Sequence, residues 1–364
     1  MKKVYAQRVE KIEAVLNSWL PQSVDSVWLE KVFGPKAPPD IELAASLVQP
    51  GWDLVNRGGK RWRPLLMLLV AECIAGARGV DAVLPLVPLV EFPHTASLVH
   101  DDIEDSSEQR RGKPAVHLIY GMDTAINSGS FMYFLPLACL DQWTGDAGLK
   151  NHIWTIWASH LRKLHLGQAM DIAWHRDYNS LPTLDEYDRM CRYKTGCLAR
   201  LAAVLGVHLG VVAGASSWEI SPDDADLWNL ADIFGKAAEQ LGVGFQILDD
   251  VKNLTDGIPG KTRGDDIVEG KKSLPVLLYL HKHPEKKEFA ARCFSAAKAN
   301  GIAAPEVEEF IAEMQGAGVL EKAREKAFEY IEESRCVFSA PYAANFVIKK
   351  EYRELFSGFL DFLS

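Results

Sequence analysis

Two groups of acidic residues, each following an apolar run, are the most chemically suggestive feature of the sequence. The first lies in HDDIEDSSEQRRG, after Ala96 to Val99, and contains Asp101, Asp102 and Asp105. On a helix, Asp101 and Asp105 share one face, where their like charges repel unless cations bind between them. Carboxylate oxygens suit Mg²⁺, which keeps several waters and bridges to phosphates. The segment therefore predicts a magnesium site, with a solvent-exposed acidic helix end as the alternative.

The second group repeats this arrangement in GFQILDDVKNLTD, where Asp249, Asp250 and Asn253 follow another apolar stretch. Asp249 and Asn253 share a helix face at i and i+4. Two such helices facing each other across a cavity could hold several magnesium ions and clamp a diphosphate group between them. An amide at position 253 in place of a third carboxylate removes one negative charge from this group.

Basic residues cluster in four further segments. Each cluster alone is typical of an ordinary surface. Beside two acidic clusters in an acidic chain, they indicate two phosphorylated substrates, one bound through metal and one bound directly by Lys and Arg. The segments are GGKRWRP (Lys60, Arg61, Arg63), RRGK (Arg110, Arg111, Lys113), RYKTG (Arg192, Lys194) and GKTRGDDIVEGKK (Lys261, Arg263, Lys271, Lys272).

Composition excludes several classes of protein. The 364 residues are 48% hydrophobic and 24% charged, which suits a large globular core. The net charge of −9 argues against a broad basic surface for nucleic acid. Six cysteines without a CxxC pair, and an amino terminus without an apolar signal region, predict a cytoplasmic protein. The most apolar stretches, Leu65 to Ala75 and Leu198 to Ala215, are interpreted as buried core helices and not membrane spans.

The elements that must position these residues are helices. Apolar residues recur at helical spacing, as in Val9, Ile12 and Leu16 and later in Val307, Phe310 and Met314, whereas alternating β patterns are scarce. We find no internal repeat or dividing linker. The sequence therefore predicts an all-α protein of ten or more helices, forming a single domain over residues 1–364.

The ordered motifs resemble those of the trans-isoprenyl diphosphate synthases, the polyprenyl synthetase family. They are GGKRWRP, HDDIEDSSEQRRG, GQAMDI, YKTG, GFQILDDVKN and GKTRGDDIVEGKKSLP, and they lie within about residues 55–280. The segments DDIEDSSEQRRGKPAVHLIYG and INSGSFMYFL, with Asn253, are most similar to geranylgeranyl diphosphate synthases. The resemblance is much weaker before about residue 50 and after about residue 285.

The resemblance implies an antiparallel helical bundle around a deep central cavity, usually as a homodimer. It implies head-to-tail condensation of isopentenyl diphosphate with an allylic diphosphate, dependent on Mg²⁺ with about three ions per site. Geranylgeranyl diphosphate is the expected product, with farnesyl or longer polyprenyl diphosphate as alternatives. A class I terpene cyclase and a noncatalytic regulatory subunit of a prenyltransferase also compete with this assignment. GGKRWRP and Arg111 argue against a cyclase, and the survival of both aspartate clusters argues against a subunit that has lost catalysis.

The resemblance also implies roles for individual residues. The metals that hold the allylic diphosphate would be bound by Asp101, Asp102 and Asp105 with Asp249 and Asp250. The allylic phosphates would contact Arg110, Lys194 and Lys261, and isopentenyl diphosphate would contact Lys60, Arg63, His94 and Arg111. Thr195 and Gln246 would line the region where the allylic cation forms, with Lys271 near the mouth of that site.

Product length is predicted to depend on the residues one helical turn before the first aspartates. Ser97 lies about 5.4 Å behind Asp101 on the same helix face, so a hydrocarbon tail anchored at the aspartates would pass Ser97 and Ala96. Both are small, which would leave the tunnel open beyond a farnesyl chain, although small residues can also serve close helix packing. The SFMYFL segment, with Phe131, Tyr133 and Phe134, is the candidate floor.

Overall fold

The computed structural model describes residues 2–35, 40–214, 225–257, 262–343 and 346–363. These residues form eighteen α-helices, which confirms the all-α prediction. In chain order they are α1 (Lys2–Trp19), α2 (Ser26–Phe33), α3 (Ile41–Asn56), α4 (Trp62–Ala75), α5 (Ala77–Val83), α6 (Pro88–Glu104), α7 (Val116–Tyr120), α8 (Met122–Gln142), α9 (Ala147–Arg176), α10 (Leu184–Cys191), α11 (Cys197–Gly214), α12 (Ala225–Leu254), α13 (Asp265–Glu269), α14 (Leu274–Lys282), α15 (Lys287–Asn300), α16 (Pro305–Gly316), α17 (Val319–Ser339) and α18 (Lys350–Leu363).

The other elements are short. A π-helical turn, Arg192–Gly196, joins α10 to α11, and 3₁₀ turns cover Leu84–Leu86, Pro284–Lys286 and Gly301–Ala303. Two antiparallel hairpins pair β1 (Gln109–Arg110) with β2 (Lys113–Pro114) and β3 (Tyr342–Ala343) with β4 (Phe346–Val347).

The helices divide into two compact units, which we describe separately. Unit 1 comprises Met1–Ser159, Leu198–Lys236 and Arg335–Ser364, and unit 2 comprises His160–Cys197 and Ala237–Ser334. The first aspartate cluster therefore belongs to unit 1 and the second to unit 2. The assignment of residues 1–364 to one domain stays a prediction.

The core of unit 1 follows the predicted apolar pattern. Ile12 and Leu16 of α1 are completely buried, as the first stripe requires. Helix α4 is buried around its whole circumference from Leu65 to Ala71, which is the behaviour of a core helix and not of an amphipathic surface helix. It begins directly after the GGKR segment, so its rigid amino-terminal end holds that segment in place.

The core of unit 2 is built around aromatic side chains. Phe294 of α15 lies edge-on to Phe310 of α16, with ring centroids 5.5 Å apart, and Tyr279 of α14 packs on the same ring at 5.8 Å. The predicted late stripe on α16 is buried there. Helix α16 begins at Pro305, where the missing amide hydrogen costs nothing because first-turn amides have no helical partner.

One helical stretch among the described residues is long and apolar enough to cross a bilayer. It runs from Leu184 to Gly214, and 78% of its most apolar window is buried inside the protein. Such burial is typical of a core helix, the interpretation reached from the sequence for the stretch beginning at Leu198. The bent pair Ala77–Leu86 and Pro88–Glu104 meets the same criterion only if it is counted as one span.

Candidate functional site

The first aspartate cluster lies at the carboxyl end of α6. The amide of Asp105 donates to the carbonyl of Asp101 at 2.9 Å, so these residues are one helical turn apart, as predicted. Asp102, between them in sequence, is completely buried, whereas Asp101 is partly exposed. Asp101 and Asp105 therefore share a helix face, whereas Asp102, which the resemblance also assigned to the metals, is buried and accepts a hydrogen bond from Arg110.

The β1–β2 hairpin after α6 sends two adjacent arginines in different directions. Its two-residue turn has positive φ at both Arg111 (54°) and Gly112 (74°), the geometry of a type I′ turn. Arg110 reaches back to α6, where its Nε donates to Asp102 Oδ1 at 2.8 Å and its Nη2 lies 3.4 Å from Asp101 Oδ2. A cation is thus held beside the first aspartates.

Arg111 points instead to a cavity of about 150 Å³ in unit 1. The cavity includes all four residues that the resemblance assigned to isopentenyl diphosphate, from the GGKR segment, the start of α4, the middle of α6 and the hairpin turn. Its lining residues are Gly59, Lys60, Arg61, Trp62, Arg63, Glu91, His94 and Arg111.

An internal ion pair stabilises the wall of this cavity. Arg61 and Glu91 are both buried, and Arg61 Nη1 donates to Glu91 Oε1 at 2.8 Å. Arg61 also donates to the carbonyl of Val55 and adopts the left-handed backbone conformation, with φ of 48°. Because the surrounding bonds hold this unfavourable backbone in place, Lys60 and Arg63 project from a fixed turn on either side of Arg61.

Burial and the nearby arginines favour the neutral form of His94. Burial and then the nearby positive charges, those of Arg63 and Arg111 first, hold the pKa of His94 well below its ordinary value. Arg63 Nη1 lies 3.4 Å from His94 Nε2. Since a guanidinium only donates, this nitrogen of His94 is the acceptor, and Nδ1 is the nitrogen that carries the proton.

Arg111 and Lys60 each donate a hydrogen bond to a backbone carbonyl at this cavity. Burial lowers the pKa of Arg111 to about 10, which leaves it protonated, and its Nη1 donates to the carbonyl of Leu54 at 3.0 Å. Lys60 Nζ donates to the carbonyl of Leu363 in α18 at 2.9 Å. The cavity thus presents a concentrated positive charge with Glu91 as its acidic residue, which is the electrostatics of a diphosphate-binding site.

In unit 2, Lys194 and Thr195 lie on the π-helical turn. Helix α12 approaches this turn so closely that a Cβ added to Gly242 would lie 2.8 Å from the Cα of Gly196. Only glycine permits such an approach, because backbone atoms would have to move for any side chain. Single-turn π-helices inside α-helices occur frequently at functional sites.

Two of the three lysines that were assigned to the allylic site contact a carboxylate within unit 2. Lys194 Nζ donates to Asp171 Oδ2 at 2.5 Å, and Asp171 lies in the GQAMDI motif. Lys271 Nζ lies 2.5 Å from Glu269 Oε2. Lys261 lies outside the described residues. A phosphate bound by Lys194 or Lys271 would therefore share the cation with a carboxylate or replace that carboxylate.

Thr195, Gln246 and Asp250 form a hydrogen-bonded series. Thr195 Oγ1 donates to Gln246 Oε1 at 2.7 Å, and Gln246 Nε2 donates to Asp250 Oδ1 at 2.9 Å. The other oxygen of Asp250 accepts from Tyr187 Oη at 2.7 Å and from the amide of Leu274 at 3.2 Å. Burial raises the pKa of Asp250, while the bonds from Tyr187 and Gln246 oppose that shift.

The other residues of the second motif differ sharply in exposure. Asp249 is exposed, whereas Asn253 is completely buried. The side-chain oxygen of Asn253 accepts from the amide of Asp266 at 3.2 Å, and its backbone carbonyl accepts from Gly264 at 2.8 Å. The i, i+4 spacing suggested that Asn253 joins Asp249, but Asn253 instead fixes the turn that precedes α13.

The donors in the first cluster fit magnesium. Asp101 and Asp105 supply hard carboxylate oxygens from one helix face, and Asp249 supplies another in its own unit. No group of three or more His, Cys, Asp or Glu side chains in the described part of the chain is arranged to hold a metal. Mg²⁺ commonly binds through one or two carboxylates, with waters and substrate phosphates as its other ligands.

Several residues were not assigned a role from the sequence. Arg61 lies within GGKRWRP, so the motif contained a signal for it, whereas Glu91 is a lone carboxylate in the apolar first half of α6 and had none. Asp171 was inside a quoted motif without a stated role. Tyr187 lies six residues before the YKTG motif, and its contact with Asp250 is what distinguishes it.

The family model for polyprenyl synthetase matches residues 44–313. Geranylgeranyl pyrophosphate synthase paxG of Penicillium paxilli is 38% identical over 202 residues, covering 55% of this chain and 48% of the relative. Geranylfarnesyl diphosphate synthase of Aeropyrum pernix is 29% identical over 330 residues, covering 89% of this chain and 94% of the relative. The matched region thus spans about half the length of the fungal relative and nearly all of the archaeal one.

A solved structure shares the fold. The geranylgeranyl pyrophosphate synthetase of Pyrococcus horikoshii superposes with a TM-score of 0.76 at 24% sequence identity, covering 98% of this chain and 95% of the other. At this identity the likeness establishes the helical architecture only.

Proposed function

Because the chain belongs to the polyprenyl synthetase family, we propose that it is a magnesium-dependent prenyltransferase that condenses isopentenyl diphosphate with an allylic diphosphate. This membership confirms the resemblance inferred from the motifs. The proposed product is geranylgeranyl diphosphate, a choice supported by the name of the fungal relative. The archaeal relative's name, a geranylfarnesyl diphosphate synthase, supports a longer product as the alternative.

The cationic cavity of unit 1 is the observation that carries this proposal. It gathers Lys60, Arg63, His94 and Arg111, and its lining contains no pair of carboxylates that could recruit a metal. A diphosphate would therefore be bound there directly by protein cations. A terpene cyclase needs no second diphosphate site, so this cavity favours the synthase over the cyclase.

Magnesium is the proposed cofactor, and Asp101, Asp105 and Asp249 are the proposed ligands. When bound, Mg²⁺ supplies positive charge that stabilises diphosphate as it leaves the allylic carbon. Asp250 was also predicted to be a ligand, but its oxygens already accept bonds from Tyr187, Gln246 and Leu274. We therefore assign Asp250 mainly to holding its neighbours.

The protein's own groups would perform the remaining tasks. Arg110, held at the aspartates, and Lys194 would neutralise charge on the departing diphosphate. Thr195 and Gln246 would present oxygens toward the allylic carbon as positive charge develops there. The cavity arginines and Lys60 would fix isopentenyl diphosphate, so that its double bond attacks that carbon and forms the new carbon–carbon bond. The proton then lost from the adduct would pass to the released diphosphate.

A homodimer and a cytoplasmic location are further parts of the proposal. The apolar side chains of Met122, Ile126 and Phe134 on α8 are exposed, and a second copy could cover them. All six cysteines lie within the described residues as thiols and not as disulfides, which is usual in a reducing compartment. Light scattering of the wild type and Phe134→Glu tests the dimer, which the substitution should dissociate.

The function is tested by product chromatography. The purified chain is incubated with labelled isopentenyl diphosphate and dimethylallyl, geranyl or farnesyl diphosphate, with Mg²⁺ or with a chelator. We expect longer prenyl diphosphates only with Mg²⁺. Asp101→Ala and Asp249→Ala should abolish turnover while remaining folded, because Asp101 is partly exposed and Asp249 is exposed, and substitutions at such positions change stability little. Asp81→Ala, at an exposed position on α5, is the matched control.

Three results would contradict the proposal. Conversion of an allylic diphosphate to a hydrocarbon without isopentenyl diphosphate would indicate a cyclase. A folded wild type that makes no product with any starter would indicate a noncatalytic subunit. Near-normal activity of Asp101→Ala or Asp249→Ala would show that these clusters do not bind the essential metal.

A further inference from the structure

Tyr187 lies at the end of the hydrogen-bonded series of Thr195, Gln246 and Asp250 in unit 2, and the proposed function assigns it no role. It is buried on α10, and its hydroxyl donates to Asp250 Oδ2 at 2.7 Å. Helix α10 begins with a capping box in which Thr183 and Glu186 bond each other's backbone amides. This cap fixes the first turn of α10 and therefore the place of Tyr187.

The series has a defined direction of donation. Gln246 turns its NH₂ group, which only donates, toward Asp250 and its carbonyl oxygen, which only accepts, toward Thr195. The Thr195 hydroxyl must then give its proton to Gln246. The lone pairs of Thr195 Oγ1 then point away from the bond to Gln246. These lone pairs can stabilise a positive charge that develops on the substrate.

Asp250 can impose this direction only while its own position is fixed. Oδ1 is used by Gln246, and Oδ2 is held by the Tyr187 hydroxyl and, at a longer distance, by the amide of Leu274. Tyr187 makes the shortest of these three bonds. Without it, the carboxylate can rotate about its χ2 bond, and the orientation of the Gln246 amide is no longer determined.

We propose that Tyr187 is a positioning residue that acts through Asp250 and Gln246 to orient the Thr195 hydroxyl for the prenyl-transfer step. The inference rests on the proposed function, because it assigns Thr195 to the site of the developing cation. The Tyr187 hydroxyl donates to Asp250, which is assigned to neither the allylic phosphates nor isopentenyl diphosphate. Its loss should therefore lower kcat and leave the KM for isopentenyl diphosphate unchanged.

Tyr187→Phe removes the hydroxyl and keeps the ring. The chain offers a matched control in Tyr279, which is also buried in unit 2 and donates to a carboxylate, Glu313 Oε2, at 2.6 Å. Glu313 belongs to α16 and is not part of the series. We expect Tyr187→Phe to lower kcat about tenfold, equivalent to about 1.4 kcal/mol of transition-state stabilisation, and Tyr279→Phe to leave kcat within about twofold of the wild type.

A double-mutant cycle with Thr195→Val tests whether Tyr187 acts through the series. If it does, Tyr187→Phe causes no further loss of kcat once Thr195→Val is present. Multiplicative losses, a KM effect without a kcat effect, or equal behaviour of Tyr187→Phe and Tyr279→Phe would overturn the proposal. If Tyr187→Phe fails to fold, Gln246→Met breaks the same hydrogen-bonded series. In that case Gln246→Met must cause no further loss of kcat once Thr195→Val is present.

Urea unfolding provides a readout that does not need activity. The midpoint shift of the Tyr187→Phe, Thr195→Val double variant should be smaller than the two single shifts combined, because each substitution disrupts the same series. The midpoint shifts of Tyr279→Phe and Thr195→Val should instead add in their double variant. Additive shifts for Tyr187 would refute the coupling. A wild type without prenyl transfer but with this coupling would refute the proposed function and leave the hydrogen-bonded series established.

Discussion

Substitution of Ser97 by Phe tests how α6 controls product length. Ser97 lies one turn, about 5.4 Å, before Asp101, is partly exposed, and donates from Oγ to the carbonyl of His94 at 2.8 Å. Its neighbour Ala96 is completely buried. A phenyl ring has room to leave the helix at position 97 but would enter packed core at position 96.

The two substitutions should therefore have different effects. Ser97→Phe loses one partly exposed hydrogen bond, worth about 0.5–1.5 kcal/mol, and obstructs the path of a tail anchored at Asp101. We expect the ratio of farnesyl to geranylgeranyl product to rise at least about tenfold, which requires a steric cost near 1.4 kcal/mol. Ala96→Phe should instead lower the free energy of unfolding by about 1–3 kcal/mol through overpacking.

Product chromatography with geranyl diphosphate as the starter measures the ratio, and urea unfolding measures the stability of both variants. The structure also separates two of the aromatic residues proposed as the floor of the product tunnel. Tyr133 stacks on His100 of α6 at 5.6 Å, while Phe134 points to solvent. A folded, active Ser97→Phe enzyme with the parent's product would refute the assignment of the tail to this face of α6.

Two further predictions concern buried polar residues. Burial lowers the pKa of His208 to about 3, whereas the unfolded chain binds this proton below about pH 6.5. We therefore expect the unfolding free energy of the wild type to fall by about 2 kcal/mol between pH 7.5 and 5, a loss that His208→Gln should not show. Equal losses for the two proteins, measured by urea unfolding, would contradict this prediction. Asn253→Asp should lower the unfolding free energy by about 1–3 kcal/mol, because the new carboxylate would be buried beside Asp266. The magnesium concentration needed for activity should stay unchanged. A lower requirement in a magnesium titration would place residue 253 at the metal instead.

Much of the local structure could be predicted because it depends on short-range pattern. The stripe on α16, the buried α4 and the proline start at Pro305 follow from helical periodicity and from the missing amide of proline. The i, i+4 pairing of Asp101 with Asp105 follows from the same periodicity. Such features need no knowledge of distant residues.

Sequence spacing alone did not predict the surroundings of side chains whose neighbours come from distant parts of the chain. Asn253 has the same helical relation to Asp249 as Asp105 has to Asp101, yet it is buried against the turn before α13. The partnership of Arg61 with Glu91 spans thirty residues, and no periodicity connects them. The close approach of Gly242 to the π-helical turn is a tertiary contact that a sequence pattern does not reveal.

Calorimetric titration with isopentenyl diphosphate in the presence of a chelator tests the central claim most directly. Because the cavity binds diphosphate through Lys60, Arg63 and Arg111, we predict binding without any metal. Arg63→Gln should weaken this binding about tenfold or more, and Arg8→Gln, which breaks the 2.7 Å pair with Glu72 on the same unit, should not. Binding that requires Mg²⁺, or that is unaffected by Arg63→Gln, would contradict the account.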